Sequence, residues 1–444
     1  MTLLRKQWLT SLLAALALFV LAPAQSQDDV VIVITPSGES AVPIAVVPFA
    51  WNAETAIGEA DVTKVVTDDL SRSGQFRALP MQDMIERPSR IADVNYGTWR
   101  RLNVDYIVIG EVTGGDALGY RIRMHLLNVT TGDALLSLEF TARAGGLRYA
   151  SHHIADTVYE KLLDVPGFFR TRLVYVTRSG EGDSTEFSLM VADADGYGPQ
   201  PVVRSKEPLL SPTWAPDGKT VAYVSFEKGN SSIYTQELAS GQRQLVSSFK
   251  GINGAPAFSP DGRKLALALS RSGNLEIYVM DLATRRTIQL TQHFGIDTEP
   301  AWSADGKYVL FTSDRGGRPQ IYQVEARSGA KPERVTRQGE YNARASMSPD
   351  GSQLVLVHGN DNNYKIALLD MERNLLRTIS DGPLDESPSF APNGRMVLYA
   401  SRRGSQGVLS AVPIFGAAAA GQTAHQLIFA DGDIREPAWS PIRQ

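Results

Sequence analysis

Four glutamates offer the first chemistry to test. Glu207, Glu299, Glu386 and Glu436 recur through the second half of the chain. Gathered in one place they could hold a cation or attract a basic segment. Spread over loops they would be solvated charges, since charge position alone does not identify a site. Asp217, Asp261, Asp305 and Asp350 each precede a glycine and recur once per repeat, so a turn explains each of them. Asp193-Ala194-Asp195-Gly196 begins like a calcium loop but lacks the later ligands and the closing glutamate, and reads as a turn. His152 and His153 are adjacent, about 100° apart on a helix, and cannot chelate one ion as an i,i+4 pair can. The sequence contains no GxxxxGK[ST], HExxH or GxSxG. It has no cysteine, which removes thiolate nucleophiles, disulfides and iron–sulfur ligation. No catalytic residue, metal site or cofactor is therefore expected.

What positions the acidic residues is a repeat. P-T-W-A-P-D-G begins at Pro212, P-A-F-S-P-D-G at Pro256 and P-A-W-S-A-D-G at Pro300. A-S-M-S-P-D-G follows at Ala345, P-S-F-A-P-N-G at Pro388 and P-A-W-S-P at Pro437. The spacings are 44, 44, 45, 43 and 49 residues, the length of a four-stranded propeller blade. Each Asp-Gly or Asn-Gly supplies the positive φ that a two-residue hairpin needs. The Trp, Phe or Met before each turn is expected to pack between blades. β-rich runs follow each turn, as at Val221–Ser225, Leu265–Leu269 and Tyr308–Phe311.

The sixth copy stops at Pro441, before any further strand. Arg172–Thr177, Phe187–Asp193 and Pro201–Val203 look like the second, third and fourth strands it lacks. The two ends of the repeat region should therefore share one blade and close a six-bladed ring. Strands alternate in direction, so the uniform Asp-Gly turns share one face. The variable loops lie on the other: Phe249–Asn253, His293–Glu299, Gln338–Arg344, Leu384–Glu386 and Asp433–Glu436. Variable loops on a rigid scaffold are where binding is expected.

Residues 37–165 lack the repeat and read as an α/β domain. Pro43–Phe49, Asp105–Val112, Tyr120–Val129 and Ala134–Thr141 are expected strands, with helices over 57–72 and Leu147–Leu162 covering one sheet face. Pro166–Arg170 is the expected linker to a propeller over 171–444. At the start, Arg5 and Lys6 precede an apolar run from Trp8 to Leu21 and Ala22-Pro23-Ala24, the pattern of a cleavable signal peptide over residues 1–24. Residues 25–36 would then be a flexible mature terminus. No later apolar run reaches 18 residues, so no direct membrane insertion is expected. The chain has 444 residues, 43% hydrophobic and 21% charged, with a net charge of −4 and no long basic run, which argues against nucleic acid.

The sequence resembles the TolB family of the Tol-Pal envelope system over its whole mature length. The resemblance rests on Val31-Ile32-Val33-Ile34, on Pro43–Phe49, on Asn253–Gly262, on Tyr278–Leu282, on Thr298-Glu299-Pro300 and on Asp385-Glu386. It implies a periplasmic, monomeric, non-enzymatic adaptor that supports outer-membrane integrity and constriction during division. The lipoprotein Pal would dock on the propeller mouth at Ile252, Asn253, Ala255, Thr298 and Glu299. Asn342, Arg344, Asp385, Glu386, Arg435 and Glu436 extend the same face. Ile252 stands where the family often has histidine. The inner-membrane protein TolA would take the mature terminus at Asp28, Asp29, Val30, Val31, Ile32, Val33 and Ile34, whose apolar residues suit strand addition. Other outer-membrane lipoproteins and colicins are further implied partners. The weighed alternatives are a channel that binds a small ligand or cation, and a peptidase-associated propeller.

Overall fold

The structure is a computed structural model that describes residues 41–53, 61–116, 119–360, 363–415, 425–428 and 432–442. The expected signal peptide and the segment Asp28–Ile34 lie outside the described residues.

The α/β domain contains β1 (Val42–Val46), β2 (Ala50–Ala53), α1 (Val62–Arg72), β3 (Phe76–Ala78), α2 (Tyr96–Arg101), β4 (Tyr106–Asp116), β5 (Gly119–Asn128), β6 (Ala134–Ala142) and α3 (Leu147–Leu163). The sheet runs β3-β1-β4-β5-β6, with β2 also on β4. β1 pairs in parallel with β3 and β4, while β4, β5 and β6 form an antiparallel meander. Alternation divides the faces. Ile44, Val46, Val108 and Met124 face a core shared with α1 and α3. Ala45, Val47, Ile107 and Ile109 pack with Trp99 of α2 on the other side. Helices therefore cover both faces, not one. The missed helix is only six residues long and too short for a periodic signal. Asp61 caps α1 by accepting from the Thr63 N–H at 2.9 Å, so this helix starts later than expected.

The remaining described residues form six four-stranded antiparallel sheets. Five are consecutive meanders. The sixth pairs Asp433–Trp439 with Arg172–Ser179, followed by Glu186–Asp193 and Gln200–Ser205, so the ends of the repeat region close the ring as expected. Apolar clusters lie between neighbouring blades. Trp214 and Trp302 sit in these clusters, and each donates its indole N–H to a carbonyl of the preceding blade, at Ala438 and Ala257. Each turn aspartate accepts local N–H groups. Asp217 takes those of Lys219 and Thr220, and Asp261 takes that of Arg263.

Pro166–Arg170 is not a free linker. Phe168 and Phe169 are buried, and the Asp156 carboxylate of α3 accepts from the Phe169 N–H and the Arg170 guanidinium, both at 2.7 Å. Phe168 packs on Phe169, on Tyr159 of α3 and edge-on against Trp439, the last residue of the closing strand. The Trp439 indole donates to Thr171 Oγ1 at 2.8 Å. One aromatic knot thus joins the ring closure to the α/β domain. Further contacts are Asn393 to the Pro166 carbonyl and Gln75 to the Phe415 carbonyl. They fall on the hairpin face of blade five (Glu386–Ile428), so the opposite face of the ring is not the one that carries the α/β domain.

Trp439→Ala is expected to cost about 3–5 kcal/mol, the range for deleting a buried aromatic. Urea unfolding followed by tryptophan fluorescence and circular dichroism should show a lowered midpoint in both signals. An unchanged midpoint would refute the role given to this knot.

Candidate functional site

The mouth is built from the six inner strands, and each makes the same irregularity. The register slips by one bulge in every inner strand, for example between Gly254 and Ala257 and between Thr298 and Ala301. At each slip one residue adopts a left-handed backbone. These are Ser211, Ala255, Glu299, Arg344, Ser387 and Glu436, with φ between 45° and 57°. Non-glycine residues rarely sit there, and strain of this kind gathers where a site is held in shape. Proline follows five of the six and fixes the next φ.

The bulge orders the neighbouring positions. Two residues before it, all six side chains are buried: Leu209, Asn253, Asp297, Asn342, Asp385 and Ile434. The polar ones lock the preceding loops. Asn253 accepts from Ser247 Oγ at 2.7 Å and the Phe249 N–H at 2.9 Å, and donates to the Phe249 carbonyl at 2.7 Å. Asn342 donates to Gln320 Oε1 and the Gln338 carbonyl, and shares a 2.9 Å contact with His358 Nδ1. Asp297 accepts from Arg315 at 2.5 Å. Asp385 accepts from the Gly382 N–H at 3.1 Å, and burial pushes its carboxyl up. Asn253, Asn342 and Asp385 therefore sit beneath the surface of the mouth and do not present side chains on it.

Three residues before the bulge the pattern reverses. Ile252 is 50% exposed, Ile296 48% and Leu384 40%. Tyr341, at the equivalent place, packs edge-on against Tyr364. Phe294 beside them is 88% exposed. Phe294 and Ile296 were missed in the sequence. The signal is a large apolar residue in an inter-blade loop: Phe294 has no counterpart in the repeat, and Ile296 shares its place with Ile252 and Leu384.

At the bulge itself the side chains converge on the channel. The Arg344 guanidinium of blade four lies 3.3 Å from the Glu436 carboxylate of blade six, across the ring. Glu436 also accepts from the Ser211 N–H of blade one. Glu299 accepts from Thr312 Oγ1 at 2.9 Å, and Thr312 Oγ1 accepts from the Arg344 N–H at 2.9 Å. Burial alone would lower the Arg344 pKa, but Glu436, Glu299 and Glu386 together hold it above the ordinary arginine value. Three of the four glutamates are therefore gathered around one guanidinium. Glu207 is exposed four residues before its bulge and does not join them. Arg435 pairs with Asp433 at 2.8 Å on the rim. Thr298 and Ala255 are half-buried beside the channel.

A second polar cluster lies away from the mouth. His152 Nδ1 of α3 is 2.6 Å from Asp69 of α1, Asp69 also pairs with Arg72, and Arg148 pairs with Asp195 of the blade-six turn. Asp69, His152 and Asp195 could face one ion, yet two arginines already neutralise both carboxylates, which favours an ion network over a metal centre. Burial pulls the His152 imidazole down, but the Asp69 hydrogen bond and the Asp69 and Asp195 charges push it above the ordinary value. A His125–Ser137 contact of 2.8 Å lies on the exposed sheet face and resembles a nucleophile pair only in residue type.

A propeller with a strained inner ring, fused at its closing strand to an α/β domain, now has relatives to compare. The profile of the TolB beta propeller domain matches residues 159–443, and that of the TolB amino-terminal domain matches residues 30–135. The chain belongs to the TolB family. It is 58% identical over 439 residues to the Tol-Pal system protein TolB of Xanthomonas campestris pv. campestris (strain B100), covering 98% of both chains. Identity to the same protein of Xanthomonas euvesicatoria pv. vesicatoria (strain 85-10) is 57%, again over 98% of both chains. The crystal structure of TolB from Acinetobacter baumannii matches with a TM-score of 0.82 and 38% identity, over 91% of this chain and 98% of that one.

Two outcomes are expected. Asn253→Ala removes a buried amide that makes contacts on both its atoms, and should lower stability by about 1–3 kcal/mol. A full-strength urea midpoint in this variant would show that Asn253 does not lock its loop. His152 is protonated more readily in the folded chain than in the unfolded one. Its stabilisation is therefore complete below about pH 6.5 and is lost as pH rises through the raised folded value. Thermal midpoints should fall across that window, and His152→Gln should flatten the fall.

Proposed function

We propose that the chain is a non-enzymatic adaptor of the periplasm. It docks Pal on the propeller mouth, offers Asp28–Ile34 to TolA, and so supports outer-membrane integrity and constriction. The observation that carries the reading is the mouth itself. It is a ring of preset backbone with Thr298, Glu299 and the apolar rim on it, on the face opposite the hairpins that meet the α/β domain, in a chain of the TolB family. Such a surface can bind a folded partner with little loss of loop entropy. Among the described residues no helix is long and apolar enough to cross a membrane. The adaptor reading needs no catalytic group.

Thr298→Arg places a bulky cation on the mouth between Asp297 and Glu299. Calorimetry with the purified globular domain of Pal should show affinity lowered at least about tenfold, with the thermal midpoint unchanged. Unaltered affinity would refute the assigned face.

A further inference from the structure

One buried tie between blades has a counterpart that shows what is unusual about it. The inner strand of blade four is held to blade three by an amide pair. Asn342 Nδ2 donates to Gln320 Oε1 at 2.9 Å, and Thr336 Oγ1 donates to the same oxygen at 2.8 Å. Between blades two and three the equivalent residues are Glu276 and Asp297. The register is the same: the Asn342 N–H meets the Pro319 carbonyl and the Asp297 N–H meets the Leu275 carbonyl, in each case the residue before the partner. The threonine is kept too, since Thr291 Oγ1 donates to Glu276 Oε2 at 2.7 Å. Two carboxyls therefore stand where the next junction has two amides, with Asp297 0% and Glu276 2% exposed.

An amide both donates and accepts, whereas ionised carboxylates only accept. Glu276 is supplied with donors by Thr291 Oγ1 and by the His293 N–H at 2.7 Å. Asp297 Oδ2 has the Arg315 guanidinium at 2.5 Å, but among the described residues Asp297 Oδ1 is buried without a donor. Of the other groups on these loops, His293 Nδ1 accepts from the Gly295 N–H and Asp314 accepts from the Ile296 N–H. One guanidinium thus faces two carboxyls, and a negative charge is left over unless a proton cancels it.

We propose that Glu276 and Asp297 share one proton in the folded chain, and that this proton ties blade three to blade two and positions the loop that presents Phe294 and Ile296. It makes the bond that the Asn342 amide makes at the next junction, and it gives Asp297 Oδ1 its missing partner. Burial and the neighbouring Asp297 charge push the Glu276 carboxyl up, as two carboxyls in one site require. The two titrate as a pair, so the proton belongs to neither alone. The folded pair keeps it to higher pH than the unfolded chain does. The tie is therefore complete below the ordinary glutamate value of about 4.3 and is lost as pH rises through the raised folded value.

The test follows amide hydrogen exchange of the full mature chain from about pH 5 to about pH 9, corrected for the intrinsic pH dependence of exchange. A local readout is needed because His152 also moves the global midpoint with pH. Protection over residues 293–297 should fall at least about tenfold across the series. Asp297→Asn supplies the amide already present at Asn253 and Asn342, which donates without a proton, and should hold that protection level. Protection that is independent of pH in the unaltered chain, or an equal fall in Asp297→Asn, would overturn the proposal. Carbon NMR of the unaltered chain with labelled glutamate carboxyls reads the pair even if the variant does not fold. One glutamate should titrate above the others, and the absence of any such glutamate would refute the shared proton.

Discussion

The pairing of Asp433–Trp439 with Arg172–Ser179 is the contact on which both halves of the molecule depend. A ring of sheets has no open edge only when its last strand finds its first, and each blade here buries its side chains against its neighbours. The strand that completes this closure carries Glu436 at the mouth and Trp439 in the knot with Phe168. Only Pro437 and Ala438 separate the residue at the mouth from the joint that holds the α/β domain. No disulfide shares the task, because the chain has no cysteine. Ring closure, interblade packing and the aromatic knot replace it.

Much of this was legible because a propeller writes its period into the sequence. The Asp-Gly turns, the aromatics before them and the truncated sixth copy required six blades with shared ends, and the structure has them. The α/β domain was less legible. Its long strands carry clear alternation, but β2, β3 and α2 are four, three and six residues long, too short to show a period. α2 is fixed by long-range contacts, with Trp99 against the back of the sheet and Tyr96 and Arg100 donating to carbonyls at Val129, Thr130 and Gly132. The stretch Pro166–Arg170 reads as a linker from its Pro-Gly start. What makes it a buried joint is Asp156, which precedes it by a helical turn and more and has no local signature.

The mouth shows a finer limit of the same kind. Sequence placed the variable loops on one face but not the depth of each residue within them. Asn253 and Ile252 are neighbours in the chain, and only the position of the bulge decides that one is a buried lock and the other is exposed. The bulge depends on a left-handed residue that is alanine in one blade, arginine in another and glutamate in two. No residue type announces it. Pro at the following position is the nearest thing to a marker, and it fails in blade four, where Ala345 follows Arg344.

Comparison between blades recovers what comparison along the chain does not. Where six equivalent positions are all buried, the shared cause is the scaffold, and the polar members are there to satisfy loop backbone. Where equivalent positions vary in charge, as Ser211, Ala255, Glu299, Arg344, Ser387 and Glu436 do, the scaffold has no preference and the difference must serve something else. Part of that difference is internal, because Arg344 and Glu436 tie blade four to blade six across the channel. The part left over is the excess of carboxylate at the centre and of apolar area at the rim. The buried polar locks and interblade cores that fix the loops are made by other residues. A surface made by residues other than those that hold the ring rigid is where the proposed recognition of another protein would have its physical basis.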